Sequence, residues 1–567
     1  MATYDTVIRG GIIVDGRRMP SARGDLGIKD GRIAEIGTIR ASEADRVLDA
    51  EGMIVAPGFI DLHTHFDAQI FWDPYCTMAG WHGVTSVVAC NCGFGFAPML
   101  PEERERAMLS MTRVESIPLA SMHEGIPWTW ETFPEMLDAI DAVPKALNFR
   151  ALLPVCPVLV YTLGYERAKE GVLPTDKEHA EMRRIVREAM QAGAAGWSAQ
   201  RMEDGSGADQ QKDFDGSPMV SDVMHKETCL ELARELRAFN QGFIQIAPVC
   251  KAGGTMNFCD SLAIASGRPL LYNAVISFDA HPNIHKTQLR WLERCRSKGI
   301  PVYGQGFTTD AGHTYSFEDW NLYDEVPAWR EATTGTIGER LAKLSDPERR
   351  PALREGRNYL TGPIDKIVVA EGFSDETRQW EHMQIGDVAE KLDKHPVDAL
   401  LDIAVKDELK TVFFSVSTTT NLEGYRDIMN DPSVLPGVSD GGAHVRFLTA
   451  GRYPTETIVR GVRDNDVLSL EEAHWKLSAL PAHVGGFHDR GTLEVGKAAD
   501  IVVYDYERLE ILPVEKLEDL PANEWRRVQK ARGYRYILVN GEVTIEEDKE
   551  TGRTSGRLIR NRPSGSN

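Results

Sequence analysis

Two histidines separated by one residue follow a short apolar run in GFIDLHTHFDAQ, residues 58–69. In a β-strand, residues i and i+2 project to the same face, so His63 and His65 would point together from the end of such a strand. Two neutral imidazoles side by side supply two ligands of a divalent-metal site. The alternative is a pair of surface histidines, and the surroundings of the pair decide between the two.

A cysteine and an aspartate end two further apolar runs. Cys92 lies near the end of TSVVACNCG, where the following glycines allow a sharp turn. Asp440 follows VLPGVS, although Asp-Gly-Gly by itself is an ordinary turn. If all three runs are strands of a closed parallel barrel, their carboxyl ends share one mouth. An aspartate at that position can bind a metal ion and accept a proton from water.

The middle of the chain alternates helix and strand patterns. Thr175 is a candidate N-cap, a periodic apolar stripe follows it, and Gly193 is the expected stop before a strand around Trp197. Similar units recur, and there is room for about eight between residues 58 and 445. A doubly wound open sheet is the rival, but no G-x-G-x-x-G follows a strand. The predicted fold class is therefore α/β, a (β/α)8 TIM-like barrel.

The two chain ends carry short strand patterns with Asp-Gly and Glu-Gly dipeptides at hairpin positions. We predict that residues 1–56 and 487–548 form one small β-sandwich domain, because either segment alone is near the lower size limit for a stable core. The metal-dependent barrel would then occupy residues 57–486, and residues 549–567 would form a C-terminal tail. The tail is locally basic, which predicts disorder or a contact with an acidic neighbouring subunit.

Two stretches break the β-α rhythm, near residues 100–146 and 308–400. Both are rich in tryptophan and proline. We expect such insertions to lie over the barrel mouth and shape the substrate pocket, with extra packing or a subunit contact as the alternative.

Composition restricts the classes of partner. The chain has 567 residues and a formal net charge of −21, which argues against nucleic acid and anionic membranes. No apolar run approaches the roughly 18 residues that span a bilayer, and the first residues do not predict a secretory signal. The eight cysteines are irregularly spaced, which does not favour a disulfide framework. We expect a cytoplasmic homo-oligomer that acts on a small molecule.

Four motifs in order resemble the amidohydrolase superfamily: VAPGFIDLHTHFDAQ, WHGVTSVVACNCGFGFAP, SDGGAH and GTLEVGKAADIVV. The chain is most similar to the D-aminoacylase branch, the N-acyl-D-amino-acid deacylases. This resemblance implies a (β/α)8 barrel with a β-sandwich built from both ends, zinc at the barrel mouth and hydrolysis of an amide. It also implies His63, His65 and Cys92 as metal ligands, and Asp440 as ligand and general base.

The chain departs from that branch at two positions. Where the branch has ligand histidines at the ends of strands five and six, this sequence has Gln245 and Asn273. Neutral amides bind zinc far less readily than imidazole, so we expect one zinc per chain, with two as the alternative. Three explanations stay open: a one-metal site on the retained ligands, a replacement ligand such as His281 or His285 from a loop, or loss of catalysis.

Substrate contacts are harder to assign from the sequence. Gln245, Asn273 and His444 are candidates, with capping of a helix as the alternative for His444. Arg426 is the candidate for binding a substrate carboxylate, with Arg446 and Lys251 as further choices. We expect a structural hydrogen bond from His82.

The predicted function is zinc-dependent hydrolysis of a carbon–nitrogen bond other than a peptide bond, with N-acyl (D-)amino acids or related amides as substrates. A cyclic-amide hydrolase of the hydantoinase or dihydroorotase type is the first alternative. Those enzymes use a carboxylated lysine on a barrel strand, and the expected strand four, GWSAQ, has none. A non-catalytic, metal-free scaffold of the same fold is the second alternative.

Overall fold

The structure is a computed structural model that describes residues 2–201, 211–248, 253–279, 282–309, 312–318, 322–324, 326–356, 361–417 and 419–561. Its strands are β1 (Tyr4–Ile13), β2 (Ala22–Lys29), β3 (Arg32–Gly37), β4 (Ala44–Asp49), β5 (Ile54–Pro57), β6 (Phe59–Asp61), β7 (Val84–Ala89), β8 (Asn148–Ala151), β9 (Leu153–Pro154), β10 (Gly196–Arg201), β11 (Phe243–Pro248), β12 (Leu270–Val275), β13 (Val302–Phe307), β14 (Thr314–Tyr315), β15 (Val368–Glu371), β16 (Val412–Phe414), β17 (Val434–Gly437), β18 (Ile501–Tyr504), β19 (Glu510–Leu520), β20 (Glu524–Arg532), β21 (Tyr534–Val539), β22 (Glu542–Glu546) and β23 (Lys549–Glu550).

Its α-helices are α1 (Phe66–Gln69), α2 (Arg104–Glu115), α3 (Leu119–Gly125), α4 (Phe133–Ala142), α5 (Val155–Leu163), α6 (Tyr165–Lys169), α7 (Asp176–Ala192), α8 (Lys226–Leu236), α9 (Gly253–Ser266), α10 (Ile284–Ser297), α11 (Pro327–Thr333), α12 (Ile337–Ser345), α13 (Arg350–Glu355), α14 (Asp375–Arg378), α15 (Ile385–Leu392), α16 (Pro396–Lys406), α17 (Leu422–Asn430), α18 (Tyr453–Glu456), α19 (Leu470–His474) and α20 (Leu480–Gly485). Two π-helical stretches, Thr457–Asp464 and Trp475–Ala479, join the last three helices.

Parallel strands form a closed barrel at the centre of the molecule. β6, β7 and β8 pair in parallel, and β9 continues β8 after Leu152. From β9 the parallel order runs through β10, β11, β12 and β13 to β17. A parallel bridge between Thr64 and Gly441 joins the end of β17 to the end of β6 and closes the ring. The predicted (β/α)8 barrel is therefore confirmed.

Local sequence explains the helical layer around the barrel. The Thr175 side chain accepts the N–H of Glu178 in a capping box, so α7 begins where the sequence predicts. Gly193 ends it with a φ of 111°, a conformation that favours glycine. The predicted apolar stripe of α7 is buried against the barrel: Met182, Ile185, Val186, Ala189 and Met190.

The two chain ends meet in one nine-stranded sheet, in the order β23-β22-β21-β18-β5-β1-β2-β3, with β4 pairing β1. The antiparallel pair β5–β18, with Ala56 opposite Val502, joins the N-terminal and C-terminal strands. The hairpin β19–β20 differs from the expected sandwich, because its strands pair with each other outside that sheet. It lies against the barrel mouth, where the Arg527 N–H donates to the Val445 carbonyl at 2.7 Å.

Both predicted insertions contain ordered elements. The connection from β7 to β8 carries α2, α3 and α4. The connection from β13 to β17 carries a three-stranded sheet, β14-β16-β15, and helices that share a core around Trp329 and Phe413. This second insertion extends beyond residue 400, because β16 pairs antiparallel with β14. In the described segments, no helix combines the length and apolar character needed to cross a membrane.

The tail corrects an expectation. Parallel bridges join Lys145 to Ser555 and Phe149 to Leu558, so the described part of the tail lies along β8 of its own barrel. Arg560 of the tail pairs with Asp138 of the same chain at 2.6 Å. For the described residues 549–561, these contacts within the chain take the place of the expected disorder or subunit contact.

Candidate active site

The ends of β6 and β17 interlock at the barrel mouth. The His65 N–H donates to the Gly441 carbonyl at 2.6 Å, and the Ser439 hydroxyl donates to the His63 carbonyl at 3.0 Å. Asp61, two residues before His63 on the same face, accepts the His63 N–H at 3.0 Å. These contacts fix the backbone of the H-x-H segment against the segment that carries the candidate base.

Four predicted residues come together at this mouth. The donor atoms of His63, His65 and Cys92 all lie within 4.8 Å of one another. Asp440 Oδ1 lies 3.1 Å from His63 Nε2 and 3.8 Å from His65 Nε2. Cys92 Sγ lies 3.4 Å from His63 Nε2. Two imidazoles, a thiol and a carboxylate form a donor set that suits Zn²⁺, so these residues fit the ion.

The surroundings set the charge state of these donors. Burial lowers the pKa of His65 to about 3, so the ring is neutral at pH 7, as a metal ligand requires. Burial alone would raise the pKa of Asp440. Its hydrogen bond with His63 and the neighbouring imidazoles outweigh burial and hold the pKa well below its usual range. Asp440 is therefore ionised at neutral pH. Burial, and then Glu115 and Asp440, raise the pKa of the Cys92 thiol.

The loop that carries Cys92 is held by the next strands. Cys92 has a φ of 56°, and its N–H donates to Gln245 Oε1 at 2.7 Å. The Gly93 N–H donates to Ser198 Oγ at 3.0 Å. Gly93 has a φ of 79°, and a Cβ on it would lie 3.0 Å from the Ala199 Cα. Only glycine allows this close approach to β10.

A chain of side-chain amides fills the barrel below Cys92. Gln245 Nε2 donates to Asn273 Oδ1 at 3.0 Å, and Asn273 Nδ2 donates to Gln305 Oε1 at 2.6 Å. Gln245, Asn273 and Gln305 are buried on the neighbouring strands β11, β12 and β13. Since both polar atoms of Gln245 are used, one by Asn273 and one by Cys92, it contacts the site through the Cys92 backbone.

Glu115 is a site residue that the sequence analysis missed. It ends α2 in the first insertion, is 3% exposed, and places Oε2 3.2 Å from His444 Nε2 and Oε1 3.7 Å from His65 Nε2. His444 Nε2 also lies 4.0 Å from Asp440 Oδ2, so His444 belongs to the cluster and caps no helix. No motif marks Glu115, whereas the spacing of Asp61 before His63 was a usable signal.

Two residues proposed for the substrate carboxylate have other partners. Arg426 lies on the exposed face of α17, where it donates to the Asn465 carbonyl at 3.4 Å. The expectation for Arg426 is therefore corrected, because α17 packs outside the barrel. Arg446 forms an ion pair with Glu524 of the hairpin.

The other histidines considered from the sequence lie away from the cluster or fall outside the residues that the structure describes. His285 is buried on α10, with Nε2 3.0 Å from Asp427 of α17, so it belongs to the outer helical layer. His281 and the carboxylate candidate Lys251 lie outside the described residues. His82 makes structural hydrogen bonds, as expected, to Thr455 Oγ1 at 2.8 Å and to the Gln529 carbonyl at 2.9 Å.

Known proteins resemble this chain over nearly its whole length. The model of the amidohydrolase family matches residues 46–545. The N-acyl-D-glutamate deacylase of Alcaligenes xylosoxydans xylosoxydans is 27% identical over 98% of this chain and 96% of its own length. The D-aminoacylase of the same organism is 26% identical over 98% and 97%.

A solved structure has the same fold. It is the N-acyl-D-glutamate deacylase of Bordetella bronchiseptica, complexed with zinc and a phosphonate inhibitor that mimics the tetrahedral intermediate of the reaction. It matches with a TM-score of 0.68 and 22% identity, and the match covers 99% of this chain and 100% of that chain.

Proposed function

Because the chain belongs to the amidohydrolase family, whose members hydrolyse carbon–nitrogen bonds other than peptide bonds, we propose that it deacylates N-acyl amino acids, with D-amino acids as the preferred class. The observation that carries this proposal is the cluster of His63, His65 and Cys92 with the Asp440 carboxylate against both rings. The similarity to a D-aminoacylase and an N-acyl-D-glutamate deacylase supports the substrate class.

We propose one zinc ion per chain, held by His63, His65, Cys92 and Asp440. The amide chain that begins at Gln245 occupies the strand-five and strand-six positions, and amides are poor zinc ligands. When bound, zinc lowers the pKa of water and polarises an amide carbonyl.

In this proposal Asp440 transfers the proton and Glu115 positions His444. Asp440 is ionised and accepts a proton as water attacks the amide carbon, then returns that proton to the leaving nitrogen. The Glu115 carboxyl group, whose Oε2 lies 3.2 Å from His444 Nε2, holds the ring beside Asp440. The insertion thus contributes to the site by fixing His444.

The test measures metal content and activity on the same sample. Purified protein is analysed by inductively coupled plasma mass spectrometry and incubated with matched N-acetyl-D- and N-acetyl-L-amino acids, and released amino acid is measured by chromatography. We expect about one zinc per chain and faster release from the D series. Protein that holds no metal and releases no amino acid would favour the scaffold alternative.

Two expectations from the sequence stay predictions. The homo-oligomeric state is measured by size-exclusion chromatography with light scattering, and a mass of one chain would contradict it. The cytoplasmic location is measured by fractionation of the native cells.

A further inference from the structure

A cavity of about 190 Å³ lies where three parts of the molecule meet. The sheet β14-β16-β15 forms one wall, the segment 445–447 after His444 forms the second, and the hairpin β19–β20 forms the third. Backbone hydrogen bonds tie the walls together: Thr314 N–H donates to the Phe447 carbonyl at 3.2 Å, and Arg527 N–H donates to the Val445 carbonyl at 2.7 Å.

The guanidinium of Arg527 lines this cavity and has few hydrogen-bond acceptors nearby. Its side chain is 14% exposed, and its nearest carboxylate, from the half-exposed Glu371, is 3.9 Å away. Among the described residues its buried Nε–H has no hydrogen-bond partner. Burial lowers its pKa, as expected for a desolvated cation. The preceding Arg526, by contrast, pairs with Asp73 and Asp519, each at 2.8 Å. A buried cation without close acceptors favours an anionic ligand.

The other lining residues add positive charge and flat apolar surface. Three cations surround the Trp525 ring: the charged groups of Arg446, Lys516 and Arg527 lie 4.9, 4.8 and 5.4 Å from its centroid. Lys410 is a fourth cation of the lining, against the two carboxylates of Glu318 and Glu371. Arg446 pairs with Glu524 and Lys410 with the neighbouring Glu408, so Arg527 and Lys516 supply the remaining positive charge of the lining. Trp525 and the buried Phe447 supply apolar faces.

We propose that this pocket binds a small organic carboxylate, with the carboxylate on Arg527 and the apolar body between Trp525 and Phe447. The guanidinium fork matches a carboxylate in geometry, and the volume holds an organic molecule rather than a single ion. The pocket adjoins the metal cluster, because its lining residue Phe447 packs against the His444 ring with the ring centroids 4.8 Å apart.

The probe is sodium benzoate, titrated into the full chain and followed by calorimetry and by ligand-observed NMR. Benzamide, which has the same shape without the charge, is the control ligand. We expect benzoate to bind and benzamide not to bind. Arg527→Gln should weaken benzoate at least about tenfold. Arg532→Gln, at an exposed position of the same strand where Arg532 pairs with Glu510, should leave the affinity unchanged.

Two further variants keep the outcome decisive. Lys516→Gln changes an exposed residue and should weaken benzoate measurably even if Arg527→Gln misfolds. His63→Ala removes a metal ligand and should leave benzoate binding intact. The proposal is overturned if benzoate does not bind at millimolar concentration, or if benzamide binds equally. It is also overturned if binding survives both charge variants but is lost in His63→Ala.

Discussion

At the scale of single residues, the proposed mechanism gives Asp440 two roles, metal ligand and proton acceptor. Asp440→Asn keeps the shape of the side chain and one carbonyl oxygen, so the other three donors can retain zinc. It removes the ionised oxygen that takes the proton. Because general acid–base groups contribute about 10²–10⁴-fold, we expect turnover to fall at least about 100-fold with metal still bound.

The control for Asp440→Asn is His63→Ala, which should lower metal content and activity together. Both are measured by elemental analysis and single-substrate kinetics on protein with unchanged circular dichroism. Near-normal turnover in Asp440→Asn would mean that another group accepts the proton, and His444 is then the next candidate.

Glu115 tests whether the first insertion takes part in the site. Glu115→Ala removes the carboxyl group whose oxygens lie 3.2 Å from His444 Nε2 and 3.7 Å from His65 Nε2. Groups that orient metal-site residues typically contribute about 10- to 100-fold in activity or metal affinity, and we expect a loss in that range. Glu105→Ala is the matched control, because Glu105 lies exposed on the same helix. Equal activity of the two variants would contradict a role of Glu115 in the site.

At the scale of elements, His82 links the barrel to the hairpin strand β20. Its two ring nitrogens contact Thr455 and the Gln529 carbonyl, and burial lowers its pKa to about 4. The pKa in the unfolded chain is about 6.5, which is higher, so the unfolded state takes up the proton first. The stabilisation is therefore fully present above about pH 6.5 and is lost as the pH falls toward 4.

From pH 7 to pH 5 this one ring should cost about 2 kcal/mol of stability. We expect His82→Gln to be less stable at pH 7 but to lose about 2 kcal/mol less than the natural chain over that interval. Thermal unfolding at matched pH values measures the difference. His123→Gln, at an exposed histidine, should follow the natural chain. Parallel pH curves for His82→Gln and the natural chain would show that the pKa of His82 is the same in the folded and unfolded chains and would contradict this prediction.

Elements with strong local signals were predictable from the sequence. α7 carries its own cap, apolar stripe and stop, and strand alternation predicts that the histidine pair just after β6 projects to one side. Glu115 was not predictable, because only the path of a long insertion returns the end of α2 to His444. The hairpin β19–β20 reads like any strand pair, and its position at the mouth depends on tertiary contacts such as Arg527 with Val445. The prediction for Arg426 was wrong for the same reason, since the charge of a residue does not reveal which side of a helix layer it occupies.

At the scale of the whole molecule, the tail closes the side of the barrel along β8. Arg150 is buried on that strand, and its guanidinium donates to Ile559 and Gly485 carbonyls and to the Asn561 side chain. Burial lowers the pKa of Arg150 to about 9, so the cation depends on these acceptors. Asn561 is itself held by the Ala194 carbonyl at 2.8 Å. The C-terminal tail therefore stabilises the buried guanidinium of Arg150 on β8.

A chain that ends at Arg553 should therefore be destabilised by about 3 kcal/mol or more, because two of the acceptors of a buried cation are removed with the bridges at Ser555 and Leu558. A chain that ends at Asn561 keeps every contact named for the tail and is the matched control. The midpoint of thermal unfolding measures both, and the double change with Arg150→Met separates the charge from the lost packing. If the tail acts through Arg150, Arg150→Met should make the truncation much less costly. An equal cost in both backgrounds would show that the tail stabilises the barrel by backbone pairing alone.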